Sequence, residues 1–262
     1  FKRLADRWQA PLNSREYFST DQLGGEHDPR SRILGCVGIS EADAQLATQT
    51  VLAAHPGIEL TVLATPGRVR IVLTGRDESD DVDSVATDVA TALGEACYAT
   101  DGTTLEETVV RLARETGTVL GFAESCTGGM LGAAITAVPG ASEVFAGAIV
   151  AYADEVKRDV LGVSPATLDA HGTVSRQTAE QMASGARSAL SCDLVVSVSG
   201  VAGPGGATPY APLGCVWFGV ASQEGVSSVR RDLFGDRDGV RQRAVVTALD
   251  LIRRHLRGRE PS

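Results

Sequence analysis

The sequence predicts an α/β protein in two parts: a small α+β unit, then a three-layer unit built on a largely parallel sheet. Three observations predict it. After about residue 101, apolar β-rich stretches alternate with helical periodicities, the rhythm of a layered sheet. Before that point the pattern is β-α-β-β-α. A chain of 262 residues with 43% hydrophobic content is also long enough to bury two cores.

The elements follow in order. Residues 1–31 are polar and irregular, and "STDQLGGEHDPRS" reads as a loop. "RILGCVG" (Arg32–Gly38) is a short strand, and Ser40 with Asp43 opens a helix to about Ala54. "IELTVLAT" and "RVRIVLTG" flank Pro66-Gly67 as a hairpin. Val82, Val85, Ala86, Val89, Ala90 and Leu93 have helical spacing, and the acids Asp77, Glu78, Asp80, Asp81 and Asp83 before them suit a helix N-terminus. "ATDGTT" (Ala99–Thr104) is the boundary, after which Thr103 and Glu106 form a second capping box. Then "VLGFA", "FAGAIVAY" and "DLVVSVSG" each lead into a loop, "CVWFGVAS" and "VSSVRRDLF" pair around Glu224-Gly225, and a last helix carries Val245, Ala248, Leu249, Ile252 and Leu256.

Composition narrows the function. The sequence has no run of 18 or more apolar residues, so no membrane span is expected. "FKRLADRWQA" lacks the apolar core of a signal peptide and starts without methionine, so the chain is expected to be a piece of a longer polypeptide. The five scattered cysteines suit a reducing cytoplasm. The four histidines show no metal-ligand spacing, so neither a metal nor another cofactor is expected. A net charge of −9 opposes nucleic acid as a partner, leaving a small molecule as the default ligand.

Three loops carry reactive side chains, and in parallel sheets ligands bind beyond the carboxyl ends of the strands. The first, "AESCTGG", sets Ser125, Cys126 and Thr127 before Gly128 and Gly129, as either a capped strand-helix connection or an anion site at a helix N-terminus. Cys126 has no histidine nearby to activate it and reads as an inert thiol. The second, "VPGASEVFAGAIVAYADEVK", holds Ser142, Tyr152 and Lys157, and a desolvated lysine is one alternative to histidine as the base for a serine. The third, "VSVSGVAGPGG", runs through Ser197, Ser199, Gly200 and Gly203 and suits an oxyanion or phosphate. Arg237 and Arg241 near the start of the last helix oppose the usual dipole preference, which a bound anion would explain. His171 reads as a neighbour of a helix C-cap, with Ser175 as the next N-cap.

Six stretches, "AESCTGG", "PGAS…GAIVAYADEVK", "LGV…HGTVS", "SVSGVAGPGG", "PLGCVWFGVA" and "FGDRDGVR", resemble in order the C-terminal domain of the CinA family, over about Thr103–Leu256. "GCVGISEADAQL" resembles the KH-like middle domain of the same family. The resemblance implies a KH-like domain at 32–100 and an amidohydrolase domain at 101–258. The first CinA domain, linked to a pyrophosphatase activity and a metal, has no counterpart here. The implied activity is hydrolysis of the carboxamide of nicotinamide mononucleotide to nicotinate mononucleotide and ammonia, without a metal. By motif position the catalytic serine, tyrosine and lysine fall on Ser142, Tyr152 and Lys157. Ser125, Thr127, Gly128, Gly129, Ser199, Gly200 and Gly203 would bind substrate, with Arg237 and Arg241 near the phosphate. The family also implies a homodimer or higher homo-oligomer. Two departures stand out: Ala211 replaces a common lysine, and "YADE" with Asp154 replaces "YSNE". The alternative is a non-enzymatic regulator, since the family is also linked to competence and DNA damage. Nucleic-acid binding by the KH-like part ranks last, because no GXXG loop is present and "DESDDVD" repels phosphate.

Overall fold

The structure is a computed structural model and describes residues 30–258. The irregular segment expected at 1–31 therefore lies outside the described residues, except for its last two. Strand β1 (Ser31–Val37) starts at its end. Ser40 accepts a hydrogen bond from the Asp43 amide and starts α1 (Glu41–Leu52). Strands β2 (Ile58–Thr65) and β3 (Arg68–Gly75) form the expected hairpin, with Gly67 at φ +83° in its turn. The acidic run is spent locally: Asp81 caps α2 (Val82–Leu93) and Asp83 pairs with Arg32. A fourth strand, β4 (Cys97–Ala99), adds to the expected β-α-β-β-α pattern. All pairings in the sheet, ordered β2-β3-β1-β4, are antiparallel. Between β1 and β4 a bulge at Tyr98 lets its ring lie where any side chain on Gly35 would stand.

Thr104, not Thr103, starts α3 (Leu105–Thr116), and its capping-box partner is Glu107, not Glu106. Both frames fit the S/T-x-x-E pattern. The second frame is used because it turns Glu106 inward, where it meets Arg68 of β3 at 2.9 Å. Next come β5 (Leu120–Glu124), α4 (Met130–Thr136), β6 (Phe145–Val150), α5 (Asp154–Asp159) and α6 (Pro165–His171). Ser175 caps α7 (Arg176–Leu190), and His171 ends α6 before Gly172, as the sequence indicated. Then β7 (Leu194–Gly200), β8 (Cys215–Ser222), β9 (Gly225–Asp232) and α8 (Arg237–Leu256) complete the fold.

This second sheet has the order β6-β5-β7-β8-β9. β5 runs parallel to β6 and β7, and the hairpin β8-β9 attaches antiparallel, so β8 alone runs against the rest. Alternation along the strands makes three layers. Leu120, Phe122, Val196 and Val198 pack with α3, α4 and α8 on one face. Ala123, Val195 and Ala221 pack with Met182, Ala183 and Ala186 of α7 on the other.

Ion pairs join the two sheet units. Besides Arg68–Glu106, the buried Arg253 near the end of α8 donates to the Glu95 carbonyl at 2.9 Å and pairs with Asp250 at 2.6 Å. Arg254 pairs with Asp250 and with the Glu95 carboxylate. Removing one partner of a largely buried pair strands the other charge. Arg68→Met should therefore lower stability by about 3 kcal/mol, read from the urea midpoint. Adding Glu106→Leu should recover most of the loss, and a single variant as stable as the parent would remove the pair from the list of stabilising contacts.

Candidate active site

Ser142 lies at the wrong end of its strand. It is exposed in a short 3-10 turn (Ala141–Glu143) before the first residue of β6, while Tyr152 and Lys157 follow the last. The six residues of β6 separate the two ends by about 20 Å. Arg114 holds the Ser142 turn by donating to the Gly140 carbonyl at 2.8 Å. Ser142 therefore does not join Tyr152 and Lys157, and its assignment as their nucleophile is corrected.

Ser125 is the serine that does lie beside them. It follows the last residue of β5, and the neighbouring strand end is tied to it by the Ala151 amide donating to the Glu124 carbonyl at 2.8 Å. Tyr152 is the next residue. Lys157, only 2% exposed, turns back from α5 so that Nζ donates to the Tyr152 carbonyl at 3.2 Å and to Asp154 Oδ1 at 3.3 Å. The departure to Asp154 thus gives the buried Lys157 Nζ a carboxylate as a hydrogen-bond acceptor.

The crowded turn depends on Glu124. This fully buried carboxylate accepts from the backbone amides of Gly129 and Leu131 at 3.0 Å and of Gly132 at 2.9 Å. Gly129, in the left-handed region at φ +95°, precedes α4 and offers no side-chain cap, so Glu124 takes that role. The expected anion site is therefore already filled from within: Glu124 satisfies these amides, and the Gly128 and Met130 amides donate to the carbonyls of Ser125 and Thr127. Sequence reasoning missed Glu124 as the cap, although a carboxylate closing an apolar strand was the available signal. Among the described residues, the amides of Cys126 and Thr127 make no backbone hydrogen bond, and the buried Thr127 Oγ1 has no partner.

Both arginines reach the site, but they bind carbonyl oxygens. Arg241 donates to the Cys126 and Thr127 carbonyls, each at 3.1 Å. Arg237 donates to the Gly203 carbonyl at 2.6 Å and to the Tyr152 hydroxyl at 3.0 Å. These contacts, with Asp236 as the N-cap of α8, account for two arginines in its first turns without an anion. The third loop is also more structural than expected. Ser199 commits its proton to the Thr173 carbonyl at 2.6 Å, and a side chain on Gly200 would collide with Val216 and the Cys215 carbonyl. Gly200 is thus a packing glycine between β7 and β8.

A groove of about 640 Å³ opens beside Arg237 between Pro204, Leu213, Leu233 and Phe234. That volume suits a small organic ligand. Arg243 stacks on the exposed Phe234 ring at 3.9 Å from its centroid and steadies that wall. The departure to Ala211 packs beside Val201 and Cys215, in the same loop.

Two outcomes follow. Glu124→Gln would turn an amide NH2 toward helix amides and should cost about 3 kcal/mol in urea unfolding. Unchanged stability would mean the cap is dispensable. Burial pushes the Cys126 thiol up to about 11, so it stays protonated through neutral pH. Its alkylation by iodoacetamide in the folded protein should stay negligible at pH 7–9 and rise only as the pH nears that value. Fast labelling at pH 7 would contradict this.

The model of the CinA C-terminal domain family matches residues 102–256. A CinA-like protein of Thermosynechococcus vestitus is 38% identical over 246 residues, covering 91% of this chain and 59% of that protein. One from Thermotoga maritima is 36% identical over 230 residues, covering 87% and 56%. The chain thus spans a little over half the length of these curated relatives. Among solved structures, a CinA superfamily protein from Klebsiella pneumoniae is similar at 33% identity and TM-score 0.56, over 60% of this chain and 99% of that one. The competence/damage inducible protein CihA from Agrobacterium tumefaciens is similar at 38% identity and TM-score 0.51, over 55% and 92%. The chain belongs to the CinA family, through the domain that carries Ser125, Tyr152 and Lys157.

Proposed function

We propose that the protein hydrolyses the carboxamide of nicotinamide mononucleotide, releasing nicotinate mononucleotide and ammonia, with Ser125 as nucleophile. The observation that carries this reading is the gathering of Ser125, Tyr152 and the buried Lys157 at paired strand ends, with Arg237 linking the Tyr152 hydroxyl to a ligand-sized groove. Amide hydrolysis needs a nucleophile, a proton carrier and donors for the oxyanion. Ser125 Oγ attacks the carboxamide carbon, and its proton passes to Lys157, directly or by way of the Tyr152 hydroxyl. The Cys126 and Thr127 amides donate to the developing oxyanion, in the position that the residue after a nucleophile commonly takes. Lys157 returns the proton to the leaving nitrogen, ammonia departs, and water cleaves the acyl-enzyme. Arg237 positions the Tyr152 hydroxyl and borders the groove where the nucleotide lies. Arg241 acts at one remove, by holding the loop's carbonyls so that its free amides stay in place. The competing regulatory reading has the names of relatives on its side, such as the competence/damage inducible protein CihA, and no geometry.

The test is ammonia release from nicotinamide mononucleotide. Ser125→Ala and Lys157→Ala should each lower kcat by roughly a thousandfold or more, with the double variant little worse, because such groups act as a unit. Ser142→Ala and Cys126→Ser should stay within a few-fold of the parent. A dead Ser142→Ala beside an active Ser125→Ala would reverse the assignment, and no ammonia from the parent would reject the activity.

A further inference from the structure

The first sheet holds two cysteines that the proposed chemistry does not use. Cys36 of β1 and Cys97 of β4 are direct partners in the antiparallel ladder, next to the bulge at Tyr98. Directly opposed residues put their side chains on one face, with Cα atoms about 4.5–5.5 Å apart. A disulfide spans Cα separations of roughly 4.4–6.8 Å, so this register accommodates one without moving either strand. Both side chains pack in the same apolar cluster, Cys36 fully buried and Cys97 at its partly exposed edge. Both are free thiols.

We propose that Cys36 and Cys97 form a reversible dithiol–disulfide pair, oxidised by a hydroperoxide and reduced by a dithiol. The two positions divide the work. The facing Cys36 thiol chiefly, then the Ala99 backbone amide and the charges of Arg253 and Arg257, hold Cys97 below the usual thiol range against the opposing effect of burial. The facing Cys97 and burial push Cys36 up, so Cys36 keeps its proton. Cys97, at the partly exposed edge that a peroxide can reach, is thus the attacking sulfur, and the fully buried Cys36 is the resolving thiol. Cys97 sulfur attacks the terminal peroxide oxygen, the O–O bond breaks, and one water leaves with an added proton. Cys36 sulfur then displaces hydroxide from the resulting sulfenic acid, its own proton completing a second water. For hydrogen peroxide the balance is two thiols and one peroxide to one disulfide and two waters, with two electrons passing from sulfur to oxygen.

Position gives the bond a consequence. β4 is only three residues long, and the carbonyl and carboxylate of Glu95 just before it are held by Arg253 and Arg254 of α8. A disulfide would staple this short strand to β1 and close a loop of roughly sixty residues in the unfolded chain, which raises stability.

The experiment treats the intact protein with a small excess of hydrogen peroxide at neutral pH, then maps non-reduced peptides by mass spectrometry and records Tm. The expected result is one crosslink, Cys36 to Cys97, with the other three cysteines recovered as free thiols that alkylate once the oxidised protein is denatured, a Tm higher by several degrees, and full reversal by dithiothreitol. In Cys36→Ser, dimedone should trap sulfenic acid at Cys97, whereas Cys97→Ser should leave Cys36 unoxidised. A crosslink between other cysteines, no crosslink, or oxidation of Cys97 beyond sulfenic acid in the parent would each overturn the proposal. Peptide mapping of the parent decides the matter even if a variant fails to fold.

Discussion

The candidate site rests on one buried carboxylate. Glu124 ends a fully buried strand and makes no ion pair among the described residues; the amides at the start of α4 satisfy it instead. The arrangement is mutual. A helix of seven residues is too short to be stable on its own, and its first amides would otherwise be orphaned in the interior. The carboxylate would be equally costly to bury without them. Closing this circuit forces the chain between the two ends, Ser125 to Gly128, into a tight arch. The side chains of Ser125 and Thr127 are carried on that arch, and its remaining amides are left without backbone partners.

Arginine completes the arch from outside. Arg241 grips its carbonyls while Arg237 crosses to Tyr152 and Gly203, so one helix connects the loops that follow β5, β6 and β7. Guanidinium suits this task because its forked donors bind separate carbonyl oxygens at fixed angles. Charge assistance makes each contact stronger than a neutral hydrogen bond.

What was legible in the sequence was local. Ser40, Ser175 and Pro66-Gly67 announce their elements through contacts a few residues long, and the fold emerged from their order. Thr103 and Thr104 could not be told apart, because the choice depends on Arg68, far away in the chain. Glu124 was hidden for a related reason: a capping residue is expected next to its helix, and this one acts from the preceding strand. The misplacement of Ser142 differs, since its signal was present. The strand "FAGAIV" stands between Ser142 and Tyr152, and a strand carries its two neighbours to opposite ends of a sheet. Motif order alone favoured the nearer serine, whereas parallel pairing of β5 and β6 selects the more distant one.

The last helix is also a strut. At 20 residues α8 is about 30 Å long, and it is fastened by arginines at both ends. Those at its start hold the loops of the candidate site, and those at its finish hold Glu95 in the first unit. Rolling or sliding such a rod would break both sets of fastenings together. The four-stranded unit therefore serves as an anchorage: among the described residues it makes no hydrogen bond to Ser125, yet it grips the helix whose other end holds the loops around that serine.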